Sequence, residues 1–183
     1  MHRKFILNHL NSHIPTDPIE KQMLIDMIQF VEENERCFDR NLTAGHITGS
    51  AWLVDKSLNH VFLTHHKKLN QWFQPGGHSD NDANTLAVAM REASEESGIE
   101  DVFIQPYFDR IFDIDIHTIP ARKDEPEHFH YDIRFILEAD MNQPLKISDE
   151  SHEIKWVPLE EVENYSQERS ILRMLKKMKQ LKI

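Results

Sequence analysis

The chain is predicted to be an α/β protein with an N-terminal helical extension, and three stretches of its 183 residues carry that reading. Residues 17–35 place apolar side chains at helical intervals. Two runs from residue 46 onward alternate in the manner of strands. Residues 84–97 return to a helical period with further strand-like text after them. Net charge of −10 argues against a general nucleic-acid binder, which needs a basic face to neutralise phosphates. A single cysteine, Cys37, excludes an internal disulfide framework and suits a reducing, cytoplasmic setting. No apolar run has the length of a membrane span, and residues 1–10 lack the apolar core of a signal peptide. The length fits one domain over 46–183, preceded by the extension over 1–45.

Taken in order, the extension should hold a short helix near residues 4–10 and a longer one over 17–35. In the longer helix Ile19, Met23, Met27, Phe30 and Val31 form the inner stripe, and Pro18 suits the first turn. The runs HITGSAWLVD and HVFLTHH read as a hairpin turning at residues 57–59. His65, His66, Lys67 and Lys68 follow as a solvated strand end, or as a lure for substrate phosphate. The approach Trp72-x-x-Pro75-Gly76-Gly77 is expected to turn, its glycines letting backbone come close to a ligand.

A helix over about 84–97 comes next, with Leu86, Ala89, Met90 and Ala93 inward, Asp82 or Asn84 as cap and Gly98 as C-cap. Its acids Glu92, Glu95 and Glu96 are three and four residues apart, hence neighbours on one face. Like charges at that spacing oppose the helix by roughly 0.2–0.5 kcal/mol per pair, and acids in the last turn also oppose its dipole. A hard divalent cation reverses that sign, because it takes carboxylate oxygens as ligands. Arg91, four residues before Glu95, can hold part of the acidic face in place.

Strand text resumes over 101–120, and again over 128–140 after a charged loop. In the later run His130, Asp132 and Arg134 point one way, while Tyr131, Ile133, Phe135 and Leu137 point to the core. The polar row, with His78 beside the two glycines, supplies the candidate substrate contacts His78, His130 and Arg134. His128 and His130 form a His-x-His pair able to bind zinc, but nearby text offers no complete set of four ligands, so structural or substrate-contacting roles are preferred. A loop and short strand to about Trp156 precede a helix started by Pro158. A last helix from about Gln167 turns Ile171, Leu172, Leu175 and Met178 inward and leaves its lysines solvated.

The span 77–99 resembles the Nudix box: Gly77, Arg91, Glu92, Ala93, Glu95, Glu96, Gly98 and Ile99 fall on that pattern at the right spacing. Ala83 stands where the family has Glu, with Asp80 and Asp82 in the same loop but out of register. The resemblance implies a Nudix fold, an α/β/α sandwich around a mixed sheet. It also implies Mg2+-dependent (or Mn2+-dependent) hydrolysis of a diphosphate linkage in a nucleoside diphosphate derivative.

By position, Glu92 and Glu96 would be metal ligands, with the Gly76 carbonyl completing part of the shell and Glu95 as a further ligand or a positioner of water. Relatives often draw a later carboxylate as ligand or base, and Glu150 and Glu153 are the candidates, with Glu125 and Glu127 behind them. Two alternatives stand beside the hydrolase. One is a noncatalytic nucleotide- or partner-binding module, motivated by Ala83. The other is a Nudix-fold diphosphate isomerase, which uses a cysteine and a histidine-rich metal site, whereas Cys37 here lies in the extension. The substrate itself lies outside what the box specifies, and a homodimer through the N-terminal helices is expected.

Overall fold

The computed structural model describes residues 2–121 and 126–181. Helix α1 (Arg3–Ser12) buries Ile6 and Leu10, and α2 (Pro18–Glu33) buries Met27, Phe30 and Val31. The Asp17 carboxylate caps α2, accepting from the Glu20 N–H at 2.8 Å, and Pro18 takes the first turn, where no intrahelical donor is missed. Ile19, expected inward, is instead 59% exposed, so the buried stripe begins one turn later, at Met23.

Strands β1 (Gly45–Asp55) and β2 (His60–His66) form the expected hairpin, with Val54 opposite Val61. The Asp55 carboxylate organises the turn by accepting from the N–H groups of Ser57, Asn59 and His60. Two short strands follow, β3 (Gln71–Phe73) and β4 (Gly76–His78). The two glycines were expected in a turn, yet β4 pairs antiparallel with β1, Gly76 opposite Ser50 and His78 opposite Thr48. Close approach explains the glycines: a Cβ on Gly76 would overlap the Ser50 hydroxyl, and one on Gly77 would stand 2.6 Å from the Glu92 carboxylate.

Helix α3 (Thr85–Ser97) is followed by a 3-10 turn at Asp101–Phe103 and by β5 (Ile104–Pro106), β6 (Asp113–Ile119), β7 (His128–Ala139) and β8 (Ser151–Pro158). Two helices close the chain, α4 (Val162–Tyr165) and α5 (Arg169–Leu181). Pro158 ends β8 rather than starting a helix, because it still pairs with His60 at the last position of the β2–β8 ladder.

The sheet runs β3-β2-β1-β7-β5, with β4 also on β1, β6 on β7 and β8 on β2. It is mixed: β1 and β7 are parallel along their length, and the other pairs are antiparallel. Alternate residues of β1 feed opposite faces. Ile47, Ala51 and Leu53 join the core shared with α1, α2 and α3, whereas Trp52 and Val54 join the core under α4 and α5. The result is an α/β/α sandwich in which the N-terminal helices share the main core with the sheet.

A buried ionic network ties the layers together. Asp113 on β6 accepts from Arg134 on β7 (3.2 Å), Arg173 on α5 (2.8 Å) and Lys177 on α5 (2.7 Å). Lys177 also reaches Glu20 of α2. Lys177 therefore departs from the expectation of a solvated lysine: it is 6% exposed, since its ammonium is held between the acids of two elements, Glu20 of α2 and Asp113 of β6. Among the described residues, no helix is long and apolar enough to cross a membrane.

Candidate active site

Helix α3 presents the acids, and its ends are built as the sequence suggests. Asn84 caps the start by accepting from the Ala87 N–H at 3.2 Å, and Gly98 closes the end in the left-handed region, φ 75°. Ala89 and Ala93 are fully buried against the sheet, with Leu86 and Met90 packed at the margin of the same core. That packing turns Glu92 and Glu96 toward β4 and leaves Glu95 largely in solvent.

Glu96 is the deepest of the three. It accepts the Gly76 N–H at 2.8 Å, linking the last turn of α3 to β4. Burial, with the nearby charges of Glu92 and Glu150, pushes its carboxyl up to about 8, against the Gly76 and Thr64 hydrogen bonds that favour the charged form. Glu92 is also pushed up, by burial first and then by Glu95 and Glu150, despite Arg91 beside it. Arg91 works as a clamp. Its guanidinium donates to the Glu92 carboxylate at 2.7 Å and to the His78 carbonyl at 2.8 Å, and lies 3.8 Å from Glu95.

Glu92 and Glu96 are therefore coupled electrostatically, at a protonation cost that a cation would remove. Glu92, Glu96, the exposed Glu95 and the backbone of Gly76 are the residues able to hold a hard divalent ion, and this all-oxygen donor set fits magnesium or manganese.

Later acids separate clearly. Glu150, in the loop before β8, lies close enough to affect both Glu92 and Glu96 electrostatically, and its carbonyl is held by the Lys67 N–H at 2.8 Å. Glu153 lies on β8 opposite His65 and pairs with Lys155 at 2.7 Å. Glu127 is exposed before β7, and Glu125 lies outside the described residues. Asp80 is held by the Arg40 guanidinium, and Asp82 accepts from the Asn84 N–H at 2.8 Å, so both loop acids near Ala83 have structural partners.

Of the expected substrate contacts, Arg134 does not face a cleft. It is 2% exposed and donates to Asp132 (2.7 Å) and Asp113, because acids of β6 and β7 surround its guanidinium and Arg173 of α5 closes over Asp113. His78 and His130 come together instead with a residue the sequence reading did not single out, His46 on β1. Their ring centroids are 4.7 to 5.1 Å apart. Burial first, then neighbouring imidazoles, hold His46 down to about 4 and His130 to about 2, so both rings are neutral. A cavity of about 290 Å³ lies elsewhere, lined by His13, Phe108 and Lys177 among others and by none of these acids.

Comparison with known proteins agrees with this geometry. The family model described as NUDIX domain matches residues 46–177. A Lactococcus lactis protein named "Probable DHNTP pyrophosphohydrolase" is 26% identical over 122 residues, 66% of this chain and 70% of that protein. Among solved structures, a C. elegans Ap4A hydrolase binary complex superposes with a TM-score of 0.60 at 17% identity, over 74% of this chain and 96% of that one. A NUDIX-family hydrolase from Clostridium perfringens does so at 0.55 and 25% identity, over 74% and 97%.

Proposed function

The chain belongs to the NUDIX domain family and to its pyrophosphohydrolase enzymes, and from that premise we propose a divalent-metal-dependent hydrolase that cleaves a diphosphate linkage in a nucleoside diphosphate derivative or a related triphosphate. The observation that carries the reading is the Glu92–Glu96 pair, half-buried on one helix face with both carboxyls pushed upward and the Gly76 N–H bonded to Glu96.

Held by Glu92 and Glu96, a magnesium or manganese ion would supply charge neutralisation at the phosphate and acidify bound water. The chain's own residues do the rest. Arg91 fixes Glu92 and the β4 backbone in one frame, so the donors are oriented before substrate arrives. Glu150, near the pair and in a loop open to solvent, is the favoured proton acceptor for the attacking water; Glu95 is the second candidate. Glu153 is disfavoured because Lys155 already neutralises it. Loss of Ala83's acid counterpart leaves this set intact, since Ala83 packs against the core beside α3.

On its cysteine the isomerase alternative weakens further. Burial raises the Cys37 thiol to about 11, leaving it protonated and a poor nucleophile or acid-base partner near neutral pH. A cytoplasmic location, motivated by the lone cysteine, belongs to the same reading. So does a homodimer through α1 and α2, whose Phe5, Ile19 and Ile25 are about half exposed; analytical ultracentrifugation tests it.

The deciding experiment is phosphate release from a panel of nucleoside diphosphate derivatives, dinucleoside polyphosphates and DHNTP, with and without magnesium, for wild type and Glu96→Gln. Turnover that requires metal and falls at least about 100-fold in the variant supports the hydrolase. Metal-independent nucleotide binding without turnover in either protein supports the noncatalytic module instead.

A further inference from the structure

Outside the carboxylate pair, the molecule gathers a second donor set of different chemistry. His46 on β1, His78 on β4 and His130 on β7 each offer one ring nitrogen, and these atoms all lie within 4.8 Å of one another. The sheet brings them together: β1 lies between β4 and β7, His46 is directly opposite His130, and His78 is opposite Thr48 two residues along the same face of β1.

Two observations make this more than a chance gathering of histidines. His46 is 2% exposed, and neither of its ring nitrogens has a hydrogen-bond partner; the Nε2 of His130 is likewise buried and unpartnered. Buried polar atoms in native proteins are nearly always satisfied, so three orphans in one cluster call for a ligand. The three ring nitrogens converge on one small space, and an imidazole nitrogen binds metal through its lone pair.

We infer that His46, His78 and His130 form a three-histidine centre for a borderline divalent transition metal of the zinc class, distinct from the carboxylate pair on α3. Imidazole nitrogens suit zinc, cobalt, nickel and copper, whereas magnesium and calcium take oxygen. Three protein ligands leave one position open, the arrangement of catalytic rather than structural zinc sites. With metal-to-nitrogen distances of about 2.0–2.1 Å the ligand atoms sit roughly 3.4 Å apart in a tetrahedron, so the rings would draw inward from their separations of up to 4.8 Å on binding.

The centre also borders the acidic site through a single strand. His78 directly follows Gly77, whose missing Cβ makes room for the Glu92 carboxylate, and the His78 carbonyl is the one gripped by Arg91. Successive residues of a strand face opposite ways, so His78 and the ion it would help hold lie on the other face of the sheet from Glu92.

The test uses the full chain stripped of metal by chelator, then titrated with Zn2+, and with Co2+ as a spectroscopic probe, in a large excess of Mg2+. One equivalent of zinc should bind, and Co2+ should give the intense visible band of a tetrahedral site. His130→Ala and His46→Gln should each weaken zinc binding at least tenfold and abolish that band, while the double variant Glu92→Gln/Glu96→Gln should retain both. His130 is only partly buried, so its variant keeps the test decisive if His46→Gln fails to fold by circular dichroism. Zinc that is displaced by magnesium, that is lost in the glutamate variant, or that binds the histidine variants as tightly as wild type overturns the inference. Hydrolysis by the carboxylate pair does not enter these readouts, so the two readings stand or fall separately.

Discussion

At the residue scale, Gly77 and Glu96 show how single atoms set the chemistry. A methyl group at Gly77 has only the space now held by the Glu92 carboxylate, at 2.6 Å. Gly77→Ala should therefore fold but displace Glu92, weakening magnesium binding and hydrolysis at least about tenfold, measured by calorimetry and phosphate release.

Glu96 carries the pH dependence. Its folded carboxyl sits at about 8 against an ordinary 4.5, so the folded chain keeps a proton that the unfolded chain loses. Stability of the metal-free protein should fall as pH rises between these values. Metal must expel the same proton, so magnesium binding should release protons and tighten as pH rises, levelling above about 8. Calorimetry in buffers of different ionisation heat checks both the release and the trend.

At the scale of elements, α3, β4 and the loop before β8 meet because each lacks something the others provide. The last turn of α3 is hostile to acids, the Gly76 N–H lies in reach of Glu96, and the loop carries Glu150 toward both half-buried carboxylates. The element on which a glutamate lies, rather than its distance along the chain, then decides its role. Glu150→Gln should lower kcat about 10² to 10⁴-fold with KM little changed, as loss of a general base does. Glu153→Gln, three residues on but paired with Lys155, should stay within about threefold of wild type.

At the scale of the molecule, the buried network of Glu20, Asp113, Asp115, Asp132, Arg134, Arg173 and Lys177 joins α2, β6, β7 and α5. Removing one member leaves charge buried without a partner. Lys177→Ala should cost about 3–5 kcal/mol in urea unfolding. Lys179→Ala, on the same helix but exposed in a loose 3.7 Å pair with Glu163, should change stability by less than about 0.5 kcal/mol. The network also sets acid sensitivity. Burial alone would raise Glu20 and Asp115, but hydrogen bonds and cations from His13, Lys177, Arg134 and others hold both below the ordinary carboxylate range. Their contribution is present above about pH 4 and is lost as pH falls further, through the folded values.

What the sequence by itself determined lies within short spans. The caps of α2 and α3, the inner stripe of α3, the hairpin of β1 and β2 and the shared face of Glu92 and Glu96 all follow from spacings of two to four residues, where periodicity acts directly. The tertiary structure decided what depends on register between distant strands and on which layer covers a face. It made Pro75-Gly76-Gly77 the entry to a strand instead of a turn, buried Arg134 and Lys177 in ion pairs, separated Glu150 from Glu153, and brought His46 to His78 and His130. Each of those outcomes joins residues far apart in the chain. The only local signal for the last was a histidine in phase with the polar row of β1, and periodicity along one strand says nothing of which strands lie beside it.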